Sequence, residues 1–239
     1  MESPPSGASF ADAWAVAAGI KGWLTRAQAR LLWDEAAALG PGSTIVEIGS
    51  HQGRSTVVLA RAAAGSGSTV VAIDPFVDGR LFGGPATRDV FEANLERAGV
   101  MGAVTLLPEY STRARPTWTA SFDGLYIDGK HDYWTLSDDL RWAEHLPPGA
   151  PVLVHDCYSS IGVTLGVLAH VLPSRRLRYE SREGSLALFR VAPPARTDRM
   201  RILAQLPWWL RNVGLKILLR LRLRPVARLL GHDSPYDPY

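Results

Sequence analysis

The chain has 239 residues, 46% of them apolar and 21% charged, which suits one large α/β domain with an extension and excludes a disordered or fibrous chain. Its single cysteine, Cys157, excludes an intramolecular disulfide framework and fits a reducing, cytoplasmic setting. The net charge of +3 is unevenly held: residues 199–230 carry eight Arg or Lys and no acid, so the remainder is net −5 and no nucleic-acid partner is expected.

Residues 1–20 are rich in Ala, Ser, Gly and Pro and read as a loose arm with one short helix. They lack a basic segment followed by an apolar core, so no signal peptide is expected. Thr25 is placed to cap a helix from Arg26 through Trp33 that stops near Gly40-Pro41-Gly42. Apolar runs then alternate with helical stretches: Thr44–Ile48 and 54–64; Thr69–Ile73 and 87–98; Val104–Leu107; Gly124–Ile127 and 133–145; Pro151–Val154 and 160–171. This alternation predicts βαβ units around a mainly parallel sheet over a domain spanning 21–192. A last pair of strands, Leu177–Glu180 and Ser185–Val191, flanks the turn-like Arg182-Glu183-Gly184, and 193–239 form a basic amphipathic extension.

The stretch from Thr44 to Thr56 carries the most information. An apolar strand containing Glu47 turns through Gly49 and Gly53 and opens a helix at Ser55. Glycine lets main chain approach a neighbour where a Cβ would collide, and helix N-terminal amides favour electron-rich groups. A dinucleotide fingerprint would need glycine at position 51, which is His51. The second strand ends in Asp74, 25 residues beyond Gly49, where a carboxylate can accept both hydroxyls of a ribose. The loop 75–85 is long enough to fold over a pocket, or is a plain surface excursion. The fourth strand delivers Ile127-Asp128-Gly129-Lys130-His131-Asp132, and the fifth delivers Val154-His155-Asp156-Cys157. Carboxylates on neighbouring strand ends suit a hard divalent cation.

Glu47-x-Gly49-x-x-x-Gly53 after a strand resembles motif I of class I S-adenosylmethionine-dependent methyltransferases. Together with Ile127-Asp128-Gly129-x-His131 and His155-Asp156, it resembles the small-molecule O-methyltransferases that include macrocin-type sugar methyltransferases and, more distantly, the catechol methyltransferases. The resemblance implies a Rossmann-like, mainly parallel seven-stranded sheet closed by an antiparallel hairpin. It implies S-adenosylmethionine as donor and a hydroxyl of a sugar, glycolipid or secondary metabolite as acceptor. The implied cofactor contacts are Glu47, Gly49, Ser50, Gly53, Ser55, Asp74, Asp128 and, at the adenine, Tyr110 and Ser111, whose hydroxyls could equally cap the following segment. Asp128 and Asp156 match the carboxylates that hold Mg²⁺ in those relatives, whereas Cys157 stands where the catechol enzymes carry an amide. His131 stands where those enzymes carry a lysine base. An imidazole titrating near neutrality could take the acceptor's proton there, with Asp132, His155 and Asp138 as other proton partners and Lys130 read as a solvated surface cation.

Two other classes remain open on the sequence. A hydroxylase-like protein could hold iron through His131, His155 and Asp156, although alternation along a strand should send residues 155 and 156 to opposite faces. A non-catalytic adaptor would keep the fold and act through the tail. Within 199–230 the charges interrupt every apolar run, so no transmembrane helix is expected. Peripheral contact with an anionic membrane competes there with packing on the domain itself or on a second subunit of a homodimer.

Overall fold

The computed structural model describes residues 9–77 and 85–233. Seven strands form one sheet: β1 Thr44–Ile48, β2 Thr69–Ile73, β3 Val104–Leu107, β4 Gly124–Ile127, β5 Pro151–Val154, β6 Leu177–Glu183 and β7 Leu186–Val191, in the order β3-β2-β1-β4-β5-β7-β6. The first five are parallel, and β7 runs antiparallel to both β5 and β6. This is the Rossmann-like methyltransferase sheet expected above, with the hairpin joint moved to Gly184-Ser185 because β6 continues to Glu183.

The central strands are short continuous apolar runs because both faces are covered. Ile45, Val70, Ala72, Tyr126 and Leu153 point to one side, onto the helices α2 (Arg26–Ala37), α3 (Arg54–Ala64) and α4 (Pro85–Arg97). Val46, Ile48, Leu125, Ile127 and Val152 point to the other, where fully buried Trp142 fills the layer beside α6 (Tyr133–Asp139). Deleting a core side chain such as Leu125 would cost about 2–5 kcal/mol in lost transfer energy and cavity.

The one short helix expected in the arm is present and packs on the domain. Ser9 and Asp12 form a capping box on α1 (Phe10–Ala17), and Ala13, Ala17 and Ile20 are buried. Arg54, at the start of α3, draws this segment in by donating to the carbonyls of Ala17, Ala18, Gly22 and Leu24. Residues 1–8, and residues 78–84 of the loop expected to cover a pocket, lie outside the described residues.

Register sets the row on which the site is built. Leu107, Ile73, Ile48, Ile127 and Val154 are level across β3, β2, β1, β4 and β5. The residues that follow, among them Asp74, Gly49, Asp128 and His155, therefore line up along the carboxyl edge. Strand order reverses between β1 and β4, the place where open α/β sheets bind ligands.

Candidate active site

Four non-glycine residues at this edge have left-handed backbones: His51, Phe76, Asp156 and Tyr158, with φ of 47°, 44°, 57° and 60°. Such conformations persist where surrounding structure over-determines them, and here they follow β1, β2 and β5. Gly49, with φ of 86°, also meets a need of the fold itself. A Cβ there would lie 2.2 Å from the Asp128 carbonyl oxygen, so this glycine lets the ends of β1 and β4 close on each other. Gly53, with φ of 90°, starts α3 against the ring of Phe91.

Glu47 is fully buried beneath this turn and accepts from the hydroxyls of Ser50 at 2.9 Å and of Ser55 and Thr56 at 2.5 Å. Burial raises its carboxyl to about 7, against the pull of those three donors. The side chains of Glu47, Ser50 and Ser55 thus hold the turn from below, where the sequence reading had put them on the cofactor. Asp74 joins the turn to β2: Oδ2 accepts from the amides of Ser50 and His51 at 2.9 Å, and Oδ1 accepts from that of Phe76 at 2.8 Å. Trp23 lies against the His51 ring, with centroids 5.5 Å apart.

After β3, Tyr110 is partly exposed with the Arg113 guanidinium over its ring, and Ser111 donates to Asp139 Oδ1 at 2.6 Å at the start of α5 (Ser111–Ala114). Asp139 is buried, and burial raises its carboxyl to about 7. Asp132 caps α6 through Thr135 and pairs with Lys130, while Asp138 pairs with Arg115 at 2.8 Å. Neither stands free as the proton partner considered above.

Asp128, His131, His155 and Asp156 converge on one point. His131 Nδ1 lies 3.0 Å from Asp156 Oδ2, and its Nε2 lies 3.5 Å from Asp128 Oδ1. His155 Nδ1 lies 3.3 Å from Asp128 Oδ1 and 3.5 Å from Asp156 Oδ2, yet it makes no hydrogen bond of sound geometry, and buried Asp156 Oδ1 also lacks a partner. Strand alternation does not keep 155 and 156 apart, because β5 ends at Val154 and the left-handed Asp156 swings its carboxylate back beside His155. Cys157, which stands where the catechol enzymes carry an amide, is buried outside this group, and burial pushes its thiol up.

Burial opposes the charge on both histidines, but the two carboxylates outweigh it and raise each to about 10. In return they hold Asp156 well below the usual carboxylate range. Facing these two carboxylates, His131 lies above the near-neutral range expected of it.

Asp128, His155 and Asp156 each offer a donor atom within 4.8 Å of the others, a set that fits a divalent cation. His155 Nε2 faces Gln28 Oε1 at 3.3 Å, and the Gln28 amide nitrogen donates to Ser185. An imidazole whose outer nitrogen is tied to a carbonyl presents the other inward, as metal-binding histidines do. His155 entered the sequence analysis as an iron ligand of the hydroxylase reading and as a proton partner, not beside Asp128 in a divalent-cation set; nothing in the sequence pointed to Gln28.

Residues 46–157, which span this whole edge, match the model of a methyltransferase domain. This segment is a methyltransferase domain. No curated protein matches the chain in sequence. Solved structures place the domain among similar folds: cofactor-bound Rv0187 from MTB, at 23% identity and a TM-score of 0.60, covers 77% of this chain and 89% of its own. The O-methyltransferase from Bacillus cereus in complex with SAH, at 20% and 0.57, covers 76% and 90%. The O-methyltransferase TomG from Streptomyces achromogenes, involved in tomaymycin synthesis and in complex with SAM, aligns at 21% and 0.56 over 77% and 89%. Over the residues these structures cover, the chain shares their fold.

Proposed function

We propose that the chain transfers a methyl group from S-adenosylmethionine to a hydroxyl of a small molecule or glycolipid, with a divalent cation at the ends of β4 and β5. The observation that carries this reading is the adjacency of a glycine turn and a two-carboxylate, two-imidazole cluster, buried at His155 and Asp156 and open at His131, at the point where strand order reverses. The Bacillus cereus and Streptomyces proteins, O-methyltransferases seen with SAH and SAM, support it.

The turn at Gly49 and Gly53 would receive the amino-acid end of the donor, held in shape by Glu47, Ser50 and Ser55. Asp74 accepts three amides and keeps acceptor capacity for ribose hydroxyls. Tyr110 and Ser111 would meet the adenine, and Asp128 would border the donor on its other side. S-adenosylmethionine supplies an already activated methyl. The protein's part is to align an oxygen with it, exclude water and receive a proton.

Asp128, Asp156 and His155 would hold the cation, which lowers the pKa of a bound hydroxyl. One imidazole among the donors makes Mn²⁺ or Fe²⁺ as suitable as Mg²⁺. A cation on Asp128 and Asp156 would take up the carboxylate charge that holds a proton on His131, and the neutral ring would then offer Nε2, the looser of its two contacts, to the acceptor's proton. The iron hydroxylase reading is less well supported, because the set within 4.8 Å has two carboxylates and one imidazole.

Calorimetry with S-adenosylmethionine, with and without Mg²⁺ or Mn²⁺, tests the reading. Micromolar binding that Asp74→Ala abolishes is expected; no heat from the donor under any of these conditions would sink it.

A further inference from the structure

The tail folds into three helices, α8 (Arg196–Leu203), α9 (Leu206–Arg220) and α10 (Arg224–Leu229), and none of the described helices is long and apolar enough to cross a membrane. One side of α9 is docked on the methyltransferase domain. Trp208 and Trp209 pack against the core, Leu215 is buried, and buried Asn212 donates to the carbonyl of Tyr158 at 3.2 Å. The Arg182 guanidinium lies 4.0 Å from the Trp208 ring centroid and also donates to Gln205.

Among the described residues the opposite side has no such cover. Leu210, Ile217 and Leu221 follow at spacings of seven and four residues, so they form one stripe within about 40° of arc, roughly opposite Trp208, Asn212 and Leu215. They are 63%, 53% and 62% exposed, and Leu229, at 86%, and Leu230 are exposed at the end of α10, where the Leu230 carbonyl accepts from Arg211 of α9. Arg211 and Arg220 flank the stripe on either side, and Arg222, Arg224 and Arg228 continue the cationic border. No acid occurs from residue 199 to 230.

From this pattern we infer that the outward face of α9 and α10 docks on an anionic lipid bilayer. Exposed leucines rimmed by arginines suit a surface that is apolar at acyl depth and negative at the headgroups. A two-fold contact with a second copy would set this acid-free patch against itself, arginine facing arginine. Nucleic acid would answer the arginines but leave the central leucines unused. The docked side touches the loop just after Asp156, through Asn212 to Tyr158 and Lys216 to Ser159 at 3.4 Å, so the lipid-facing helix rests on the cation-site side of the domain.

The full chain should be sedimented with vesicles of phosphatidylcholine alone and of phosphatidylcholine with phosphatidylserine, and its mass followed against concentration without lipid. The expected result is binding only to the phosphatidylserine vesicles, weakened by salt. It should fall at least tenfold in Leu221→Ser/Leu229→Ser and likewise in Arg220→Ala/Arg224→Ala/Arg228→Ala, with melting temperatures unchanged because all five side chains are exposed. Absence of binding to the anionic vesicles overturns the inference. So does full binding by the leucine variant, which would mean a generic polyanion site, or self-association that the leucine variant abolishes, which would mean a second copy. Methyl transfer plays no part in this test, so either reading can fail without the other.

Discussion

At the ends of β1 and β2 the buried polar atoms are answered within the chain: Glu47 by three hydroxyls and Asp74 by three amides, with His51 Nδ1 the exception. At the ends of β4 and β5, along the same edge, His155 Nδ1 and Asp156 Oδ1 are buried without partners among the described residues, and the carboxylates that two histidines face raise both imidazoles. The first region is a frame completed by folding. The second is a set of donors whose mutual arrangement makes sense when a ligand completes it.

The largest test falls on the frame. Gly49→Ala would place a Cβ 2.2 Å from the Asp128 carbonyl oxygen at a φ of 86°, so β1 and β4 would have to part. We expect a loss of more than about 3 kcal/mol in denaturant unfolding, or no soluble protein. Stability close to that of the unchanged chain would mean that the two strand ends are not locked together.

The cluster should respond in the opposite way, losing chemistry while keeping the frame. Asp156→Ala is expected to lower methyl transfer by roughly a thousandfold, while donor affinity changes less than about threefold, because Asp156 belongs to the acceptor side. His131→Ala should lower kcat about a hundredfold with similarly unchanged donor affinity. If either variant lost donor binding in calorimetry in proportion to its activity, the division between the two regions would be wrong.

A smaller effect distinguishes a carboxyl group kept neutral from one kept charged. Glu47 is raised to about 7 in the folded protein, so the native state holds its proton more tightly than the unfolded chain does. Its contribution to stability is present below about pH 4.5 and is lost as pH rises through about 7, amounting to roughly 3 kcal/mol. Asp139 is raised to about 7 as well and acts in the same direction. Unfolding measured from pH 5 to pH 8 should show this decline, and Glu47→Gln should flatten it. An unchanged slope in the variant would place the decline elsewhere.

Much of the frame was legible in sequence because parallel strands buried on both faces appear as bounded apolar runs, and β1 through β5 lie where those runs lie. Asp74, Asp128 and Asp156 were legible for the same reason, each standing at or just past a strand end. The hydroxyls of Ser50 and Ser55 were not, since a serine beside a glycine turn reads alike whether it faces a ligand or a buried glutamate. The approach of His155 to Asp156 was hidden by alternation, a rule that lapsed one residue beyond β5. In the tail, charges scattered around α9 obscured two apolar stripes on opposite sides, and only the docked partner reveals which is outward.

Gln28 offers the mildest test, because it joins the two kinds of region. Its side-chain oxygen accepts from the Thr25 amide, closing the capping box of α2, and faces His155 Nε2. Removing that oxygen in Gln28→Leu should cost about 1 kcal/mol through the lost cap, whatever happens at the cluster. If His155 is a cation ligand held in its tautomer by Gln28, Mn²⁺ affinity should also fall about tenfold, since outer partners of ligating histidines carry that much. Gln28→Glu keeps an acceptor at both contacts and should restore cation affinity. A leucine variant that loses stability but binds Mn²⁺ with undiminished affinity would assign Gln28 to the helix alone and leave His155 to find its orientation from the two carboxylates.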